Sequence, residues 1–244
     1  MPATTTDAAQ KFDLSRASEY ETQSRIALAG YEACHELAAA MLAVALGTGT
    51  TAEILVAGAG GGAQEIVTAG TLEPGWRFTA VDPSPPMMEL AIARLKERGF
   101  LDRTEVHLGF VDDLPASKRF DAATLIGVLH HLPGVDAKRA TLRSLAKRLK
   151  PGAPLILAGN RYAYASQPLL LAAWGERWRM KGAAPAEVEA KLSKILQGAD
   201  PPASDEAVAA LLEQTDFAPP TQFFSSLFWG AWLTRRSNED PTSD

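Results

Sequence analysis

Short runs of Val, Ile, Leu, Thr and Ala recur along this chain, separated by stretches of helical periodicity. Apolar runs at about 53–57, 77–81, 104–108, 121–126 and 154–158 have the length and make-up of buried strands. Apolar positions at helical spacing fill about 62–70, 85–98 and 136–149, and Lys150-Pro151-Gly152 stops the last of these before the next strand. An earlier helical stretch covers about 14–46 and is broken near Gly30. This alternation predicts βαβ units with right-handed crossovers, hence an α/β fold with a parallel sheet covered by helices on both faces. After the fifth strand the rhythm changes. Residues 165–215 read as two or three helices, interrupted at Gly182 to Pro185 and at Pro201-Pro202. Thr221 to Arg236 reads as two strands joined around Phe228 to Gly230, an antiparallel ending.

Composition narrows the class. With 244 residues, 46% hydrophobic and 22% charged, the chain can bury a substantial core and has the balance of a soluble globular protein. A formal net charge of -5 argues against a nucleic-acid partner, which needs a basic face. No apolar run reaches membrane-spanning length; Leu37 to Leu46 ends at a Gly-Thr-Gly-Thr-Thr turn. The first ten residues lack the apolar core of a secretory signal, so a cytoplasmic location is expected. Cys34 is the one cysteine, which excludes an internal disulfide and reads as a small apolar helix residue. Residues 1 to about 10 and 237–244 read as disordered.

The sharpest chemical signal is Ile54-Leu-Val-Ala-Gly-Ala-Gly-Gly-Gly-Ala63, followed by a helix and then Phe78-Thr-Ala-Val-Asp-Pro83. Gly58 and Gly60 let the backbone turn sharply and approach a ligand that a side chain would block. The helix beginning near Ala63 aims its free N–H groups at the same place. Asp82 lies 22 residues beyond Gly60 at a strand tip, where a carboxylate accepts ribose hydroxyls. The arrangement calls for an adenosine-containing cofactor. The glycines alone leave its identity open: Gly58, Gly60 and Ala63 fit a dinucleotide fingerprint, while Gly58, Gly60 and Gly62 fit the G-x-G-x-G of methyltransferases.

Later pieces decide between them. Ala80-Val-Asp-Pro-Ser-Pro-Pro-Met-Met-Glu-Leu-Ala91, Gly109-Phe-Val-Asp-Asp-Leu-Pro115, Phe120-Asp-Ala-Ala-Thr124, Gly127-Val-Leu-His-His-Leu-Pro133 and Leu149-Lys-Pro-Gly-Ala-Pro-Leu-Ile-Leu157 follow the glycine turn in order. Over roughly residues 12–235 the chain resembles the class I S-adenosylmethionine-dependent methyltransferases of small-molecule type. The resemblance implies a Rossmann-like, seven-stranded, mostly parallel sheet with an antiparallel last strand and an N-terminal helical lid. It implies one methyltransferase domain over 11–236, with 11–48 as the lid and 165–215 as a helical insert. The cofactor implied is S-adenosyl-L-methionine, contacted by Gly58, Ala59, Gly60, Asp82, Pro83, Met87, Phe110, Val111, Asp112 and Gly127. From the lid, Tyr20, Arg25 and Tyr31 match residues that close over the methionine end, an arginine holding the carboxylate and a tyrosine facing the sulfonium.

Two positions depart from the family pattern. Val56 stands where an acid usually precedes the first glycine by two residues, which leaves the methionine ammonium to backbone carbonyls near Gly58. Phe110 stands where an aspartate often meets the adenine amino group; either it lines the adenine face, with Val111 or Asp112 reading the purine edge, or it plugs the core.

Methyl transfer is an in-line displacement from an excellent leaving group, so positioning dominates and a base is needed only for a protonated nucleophile. His130 and His131, at the C-terminal end of the fourth strand, are the candidate bases. Asn160 and Arg161 end the fifth strand at the same rim and are candidates to orient the acceptor. Aromatic residues concentrate late in the chain, and Trp174, Trp178 and Phe228 are candidates for a planar, apolar acceptor pocket, with core packing as the alternative. No metal-ligand spacing and no Asn/Asp-Pro-Pro-Tyr motif is present. The expected activity is N- or O-methylation of a small aromatic or heterocyclic metabolite, in secondary metabolism, by a monomer or homodimer. The pairs Ser24-Arg25 and Gly30-Tyr31 also resemble the lid of carboxy-S-adenosylmethionine synthases of tRNA modification. A cofactor-binding protein without catalysis and a nicotinamide oxidoreductase complete the alternatives.

Overall fold

The structure, a computed structural model, describes residues 22–238; the expectations for residues 1–10, for 239–244 and for Tyr20 lie outside them. Residues 22–27 are helical and lead through Gly30, in the left-handed region at φ 83°, into α1 (Tyr31–Leu46). Then come β1 (Ala52–Ala57), α2 (Gln64–Leu72), β2 (Trp76–Asp82), α3 (Pro85–Glu97), β3 (Thr104–Leu108) and β4 (Ala122–Ile126). They are followed by α4 (Gly134–Arg148), β5 (Pro154–Asn160), α5 (Pro168–Met180), α6 (Pro185–Gly198), α7 (Asp205–Glu213), β6 (Thr221–Ser226) and β7 (Trp229–Arg235). The five strands expected in the first two-thirds lie within a residue or two of their positions. The late insert resolves as three helices.

The seven strands form one sheet in the order β3-β2-β1-β4-β5-β7-β6. The first five are parallel, and β7 enters antiparallel between β5 and β6, with Ile156 opposite Leu233 and Leu157 opposite Trp232. Leu227, at φ 51°, makes the tight turn between the last two strands, just before the point where the sequence places it.

Strand alternation sorts the core into two layers. Ile54, Val56, Phe78, Ala80, Ile126, Ile156 and Ala231 face α1, α2 and α3, meeting Cys34, Leu42, Ile66 and Leu95. Leu55, Ala57, Ala123, Leu125, Leu155, Leu157 and Trp232 face α4 and α7, meeting Leu142, Leu145, Val208 and Leu212. The inner strands β4 and β5 are buried at every position, which is why they read as unbroken apolar runs rather than alternating ones. The edge strands β3 and β6 are only partly buried, as their Thr, Glu, His and Gln content requires. A third, smaller cluster of Ile26, Tyr164, Trp174, Trp178 and Phe228 joins the 22–27 helix to α5 above the sheet. Among the described residues no helix is long and apolar enough to cross a membrane.

Candidate active site

The order of strands reverses between β1 and β4: the chain runs outward through β2 and β3, then crosses back to start the other half. The loops after β1 and β4 therefore diverge and leave a crevice at the carboxyl ends of the strands, the place where open α/β sheets bind ligands. The crevice here is a cavity of about 380 Å³. Its floor is Gly58, Ala59, Gly62 and Ala63 of the glycine turn together with Ile126 and Gly127, and His130, His131, Asn160 and Trp229 form one wall. Tyr31, Trp174, Trp178, Lys191 and Lys194 close it from the helical side.

The glycine turn is fixed by its neighbours. Gly58 and Ala59 both donate N–H hydrogen bonds to the Val81 carbonyl, at 2.8 and 3.1 Å. Gly58 has φ 71°, and a Cβ there would lie 2.2 Å from Val128 Cγ2 in the loop after β4, so only glycine lets the two loops meet. At the tip of β2, Asp82 Oδ2 accepts the Gly60 N–H at 3.0 Å and Oδ1 accepts the Ser84 N–H at 2.9 Å. The carboxylate is thus aimed by the same turn it serves. Burial raises the Asp82 pKa above its ordinary value, while the Ser84 and Gly60 N–H groups oppose that rise.

Around Asp82, Pro83 is half-buried and Met87, on the first turn of α3, is buried. Val111 is buried, and Asp112 is exposed with Oδ2 accepting from Ser144 Oγ at 2.7 Å. Phe110 is 43% exposed, so it does not plug the core. Its backbone N–H donates to Asp113 Oδ2 at 2.7 Å. These residues sit at the β2–β3 end and do not line the enclosed cavity.

The lid docks through its backbone. Trp174 Nε1 donates to the Ala27 carbonyl at 2.7 Å, and Arg177 donates to the carbonyls of Ile26 and Arg25 at 2.9 and 3.0 Å. Trp178 Nε1 donates to Gln23 Oε1 at 3.2 Å. Arg25 is ion-paired with Glu32 at 2.6 Å and lies over the Tyr31 ring at 4.7 Å. Tyr31 brings its hydroxyl to 3.5 Å from where a Gly62 Cβ would stand, so this residue, rather than Arg25, reaches the glycine turn. His35 is buried below it, with Nδ1 at 2.8 Å from the Tyr31 carbonyl and its pKa lowered by burial.

The two histidines of the β4 loop differ. His130 is buried, its pKa held well below the ordinary value by desolvation and then by the charges of His131 and Lys138. Its Nδ1 accepts the Asn160 N–H at 3.3 Å, so the neutral ring carries its proton on Nε2 and is a donor there. His131 is half-buried and lines the cavity next to it. The loop is anchored by buried Lys138, which donates to the Leu132 carbonyl at 2.6 Å and to Asp200 Oδ2 at 2.8 Å, while Asp200 N–H donates to the His130 carbonyl.

Asn160 is buried on the wall, its Nδ2 donating to Tyr164 Oη at 2.8 Å. Its Oδ1 has no hydrogen-bond partner among the described residues. Arg161 and Phe228 do not line the cavity. Arg161 is buried in an ion pair with Asp205 at 2.7 Å and donates to Ser225 Oγ, because the chain turns at the end of β5 and points it back under β6. Phe228 is fully buried against Tyr164 and Trp174, edge-on to the first at 4.9 Å, so it supports the wall from behind. Cys34 is buried with its thiol pushed up to about 12 by burial and the nearby Glu65 charge, which removes it as a nucleophile. Among the described residues no three His, Cys, Asp or Glu side chains converge as metal ligands.

The site fits an adenosyl cofactor on its own geometry: a glycine turn that a Cβ would obstruct, a carboxylate held by two N–H groups, and a buried amide oxygen without a donor. Sheet order and site together define the class I methyltransferase fold. Residues 44–155 match the family described as a methyltransferase domain. The chain resembles the class I S-adenosylmethionine-dependent methyltransferases in this segment and in its fold. It is 32% identical over 131 residues to the erythromycin 3''-O-methyltransferase of Saccharopolyspora erythraea, covering 53% of this chain and 41% of that one. Among solved structures it is similar to the mitomycin 7-O-methyltransferase (TM-score 0.60, 22% identity, 95% of this chain and 62% of that one). It is also similar to an O-methyltransferase family 2 protein of Planctomyces limnophilus in complex with apigenin (TM-score 0.64, 16% identity, 96% and 62%). The chain spans less than two-thirds of the length of each of these proteins.

Proposed function

We propose that this chain transfers a methyl group from S-adenosyl-L-methionine to a small, ring-bearing metabolite, with a hydroxyl oxygen favoured over nitrogen as the acceptor atom. The observation that carries the reading is the cavity bounded by the Gly58–Gly62 turn on one side and His131, Asn160 and Trp174 on the other. When bound, the cofactor supplies an electrophilic methyl on a sulfonium whose departure needs no acid. The relative in Saccharopolyspora erythraea and the mitomycin enzyme both carry oxygen methylation in their names, and this supports the choice of atom.

In this reading Asp82 accepts the ribose hydroxyls with the lone pairs left free by Gly60 and Ser84, and Pro83, Met87, Phe110, Val111 and Asp112 border the adenine. Ala59, Gly127 and the ring of Tyr31 flank the methionine end. Tyr20 and Arg25 are assigned to the same closure, Arg25 acting through its hold on Tyr31. His131 takes the proton of the acceptor hydroxyl, since His130 already uses Nδ1 on Asn160 and presents a donor. His130 Nε2–H and Asn160 Oδ1 then orient the acceptor between them. Trp174 and Trp178 give it a flat apolar wall; Arg161 and Phe228 hold that wall in place. Closure of the lid excludes water from the transfer path.

The test is a transfer assay with methyl-labelled cofactor and a panel of planar hydroxylated and amine-bearing metabolites, read by mass spectrometry. Label is expected in a hydroxylated ring compound. Binding of S-adenosylhomocysteine without transfer to any acceptor would point to a cofactor-binding protein, and a carboxylated nucleoside product to the cofactor-remaking reaction. His131→Ala is expected to lower kcat by about 10²–10³-fold with cofactor affinity unchanged.

A further inference from the structure

The cavity carries one acid that the roles above leave unused. Glu65, in the first turn of α2, lines the cavity two residues beyond Ala63 and is half-buried there. Burial pushes its carboxyl up to about 7, and the Asp82 charge adds to the rise; its own backbone N–H acts the other way. Among the described residues it has no ion-pair partner. The positive end of the α2 dipole favours an anion at this position, yet a carboxylate withdrawn from water without a cation is costly. Lys191 and Lys194 line the cavity from α6, and Lys191 is turned toward Gln23 and Glu187, at 3.3 and 4.0 Å, rather than toward Glu65.

The strand end shows a complementary gap. Val56, two residues before Gly58, is buried among apolar side chains including Cys34 and Ala63 and offers no charge to the turn. An S-adenosylmethionine molecule on this turn brings an α-ammonium that needs an anionic neighbour. Glu65 is close enough to Cys34, on the same side of the sheet as Val56, to raise that thiol's pKa.

We propose that Glu65 supplies the carboxylate that binds the α-ammonium of the cofactor's methionine end, doing from the first turn of α2 what no residue at the end of β1 can do. This rests on the cofactor reading given above. It assigns Glu65 to cofactor binding rather than to proton removal from the acceptor, because it stands beside the glycine turn and not at the His131–Asn160 rim.

The test is a two-by-two comparison by titration calorimetry: wild type and Glu65→Gln, each with S-adenosylhomocysteine and with its deaminated analogue, which lacks only the amino group. Wild type is expected to prefer the amino-bearing ligand by about tenfold or more, the scale of a charge-assisted hydrogen bond. Glu65→Gln is expected to lose that preference while binding the deaminated analogue within about twofold of wild type. Glu65→Asp is expected to keep part of it. An equal preference in wild type and Glu65→Gln overturns the proposal, and so does a Glu65→Gln defect confined to kcat. Wild type binding S-adenosylhomocysteine and its analogue equally well overturns it without recourse to any variant. Binding of neither ligand by wild type overturns the cofactor reading as well.

Discussion

At the scale of single residues, the site turns on two carboxylates in different settings. Asp82 is buried but satisfied by two N–H groups, whereas Glu65 is half-buried with no cation beside it among the described residues. Asp82→Ala orphans the Gly60 and Ser84 N–H groups and is expected to destabilise the fold by about 1–3 kcal/mol. It is also expected to weaken S-adenosylhomocysteine binding by about tenfold or more, measured by calorimetry. Glu65 has the opposite sign of linkage from a paired acid. Its folded pKa of about 7 lies above the ordinary 4.5, so its contribution is fully present below 4.5 and is lost as pH rises through 7. Glu65→Gln is therefore expected to raise the Tm of the ligand-free protein at about pH 8 and to leave it unchanged at about pH 4. Discounted for partial exposure, the gain is about 1 kcal/mol. Thermal scans at both pH values check this. Sequence patterning located Asp82 because it ends an apolar strand at a set distance from the glycines. It could not mark Glu65, since an acid in the first turn of a helix is common for dipole reasons alone.

At the scale of elements, two contacts decide the shape of the cavity. The loop after β1 passes the loop after β4 so closely that Gly58→Ala meets Val128 while also forcing an alanine to φ 71°. The cost is expected to be about 2–3 kcal/mol in chemical denaturation, and Val128→Ala added to it is expected to recover the steric share but not the backbone share. The second contact is the lid on α5, held by Trp174 and Arg177 through carbonyls of residues 25–27. Arg177→Ala is expected to speed proteolytic cleavage within residues 22–30 and to raise the acceptor KM several-fold, with the unfolding midpoint shifted little. Element existence was legible from period and punctuation: each βαβ unit, the break at Gly30, and the stop at Lys150-Pro151-Gly152. The fate of the aromatic residues was not. Trp174, Trp178 and Phe228 look alike in sequence, yet the first two line the cavity and the third lies behind it. An aromatic side chain serves a core and a pocket equally well, so its type carries no information on which it enters.

At the scale of the whole molecule, the buried histidines couple fold to acidity. His35 lies under the lid and His130 in the β4 loop, and burial lowers both pKa values below the ordinary 6.5. The unfolded chain takes up these protons first, so their contribution is present above about pH 6.5 and is lost as pH falls below it. The Tm is expected to drop on acidification from about pH 7 to pH 5, and His35→Gln combined with His130→Gln is expected to flatten that slope in calorimetric scans.

The sequence by itself determined the class of fold, the strand that ends in Asp82, the turn that faces it and the antiparallel finish. Those features are written in local period, in glycine and proline placement and in one fixed spacing, which a single chain displays without neighbours. Only the tertiary structure decided that His130 Nδ1 is taken up by the Asn160 N–H, which aromatic residues border the cavity, that Arg161 points away from it, and that Glu65 faces into it. Each of those outcomes depends on what an atom meets across the sheet or across a loop, and such meetings join residues far apart in the chain.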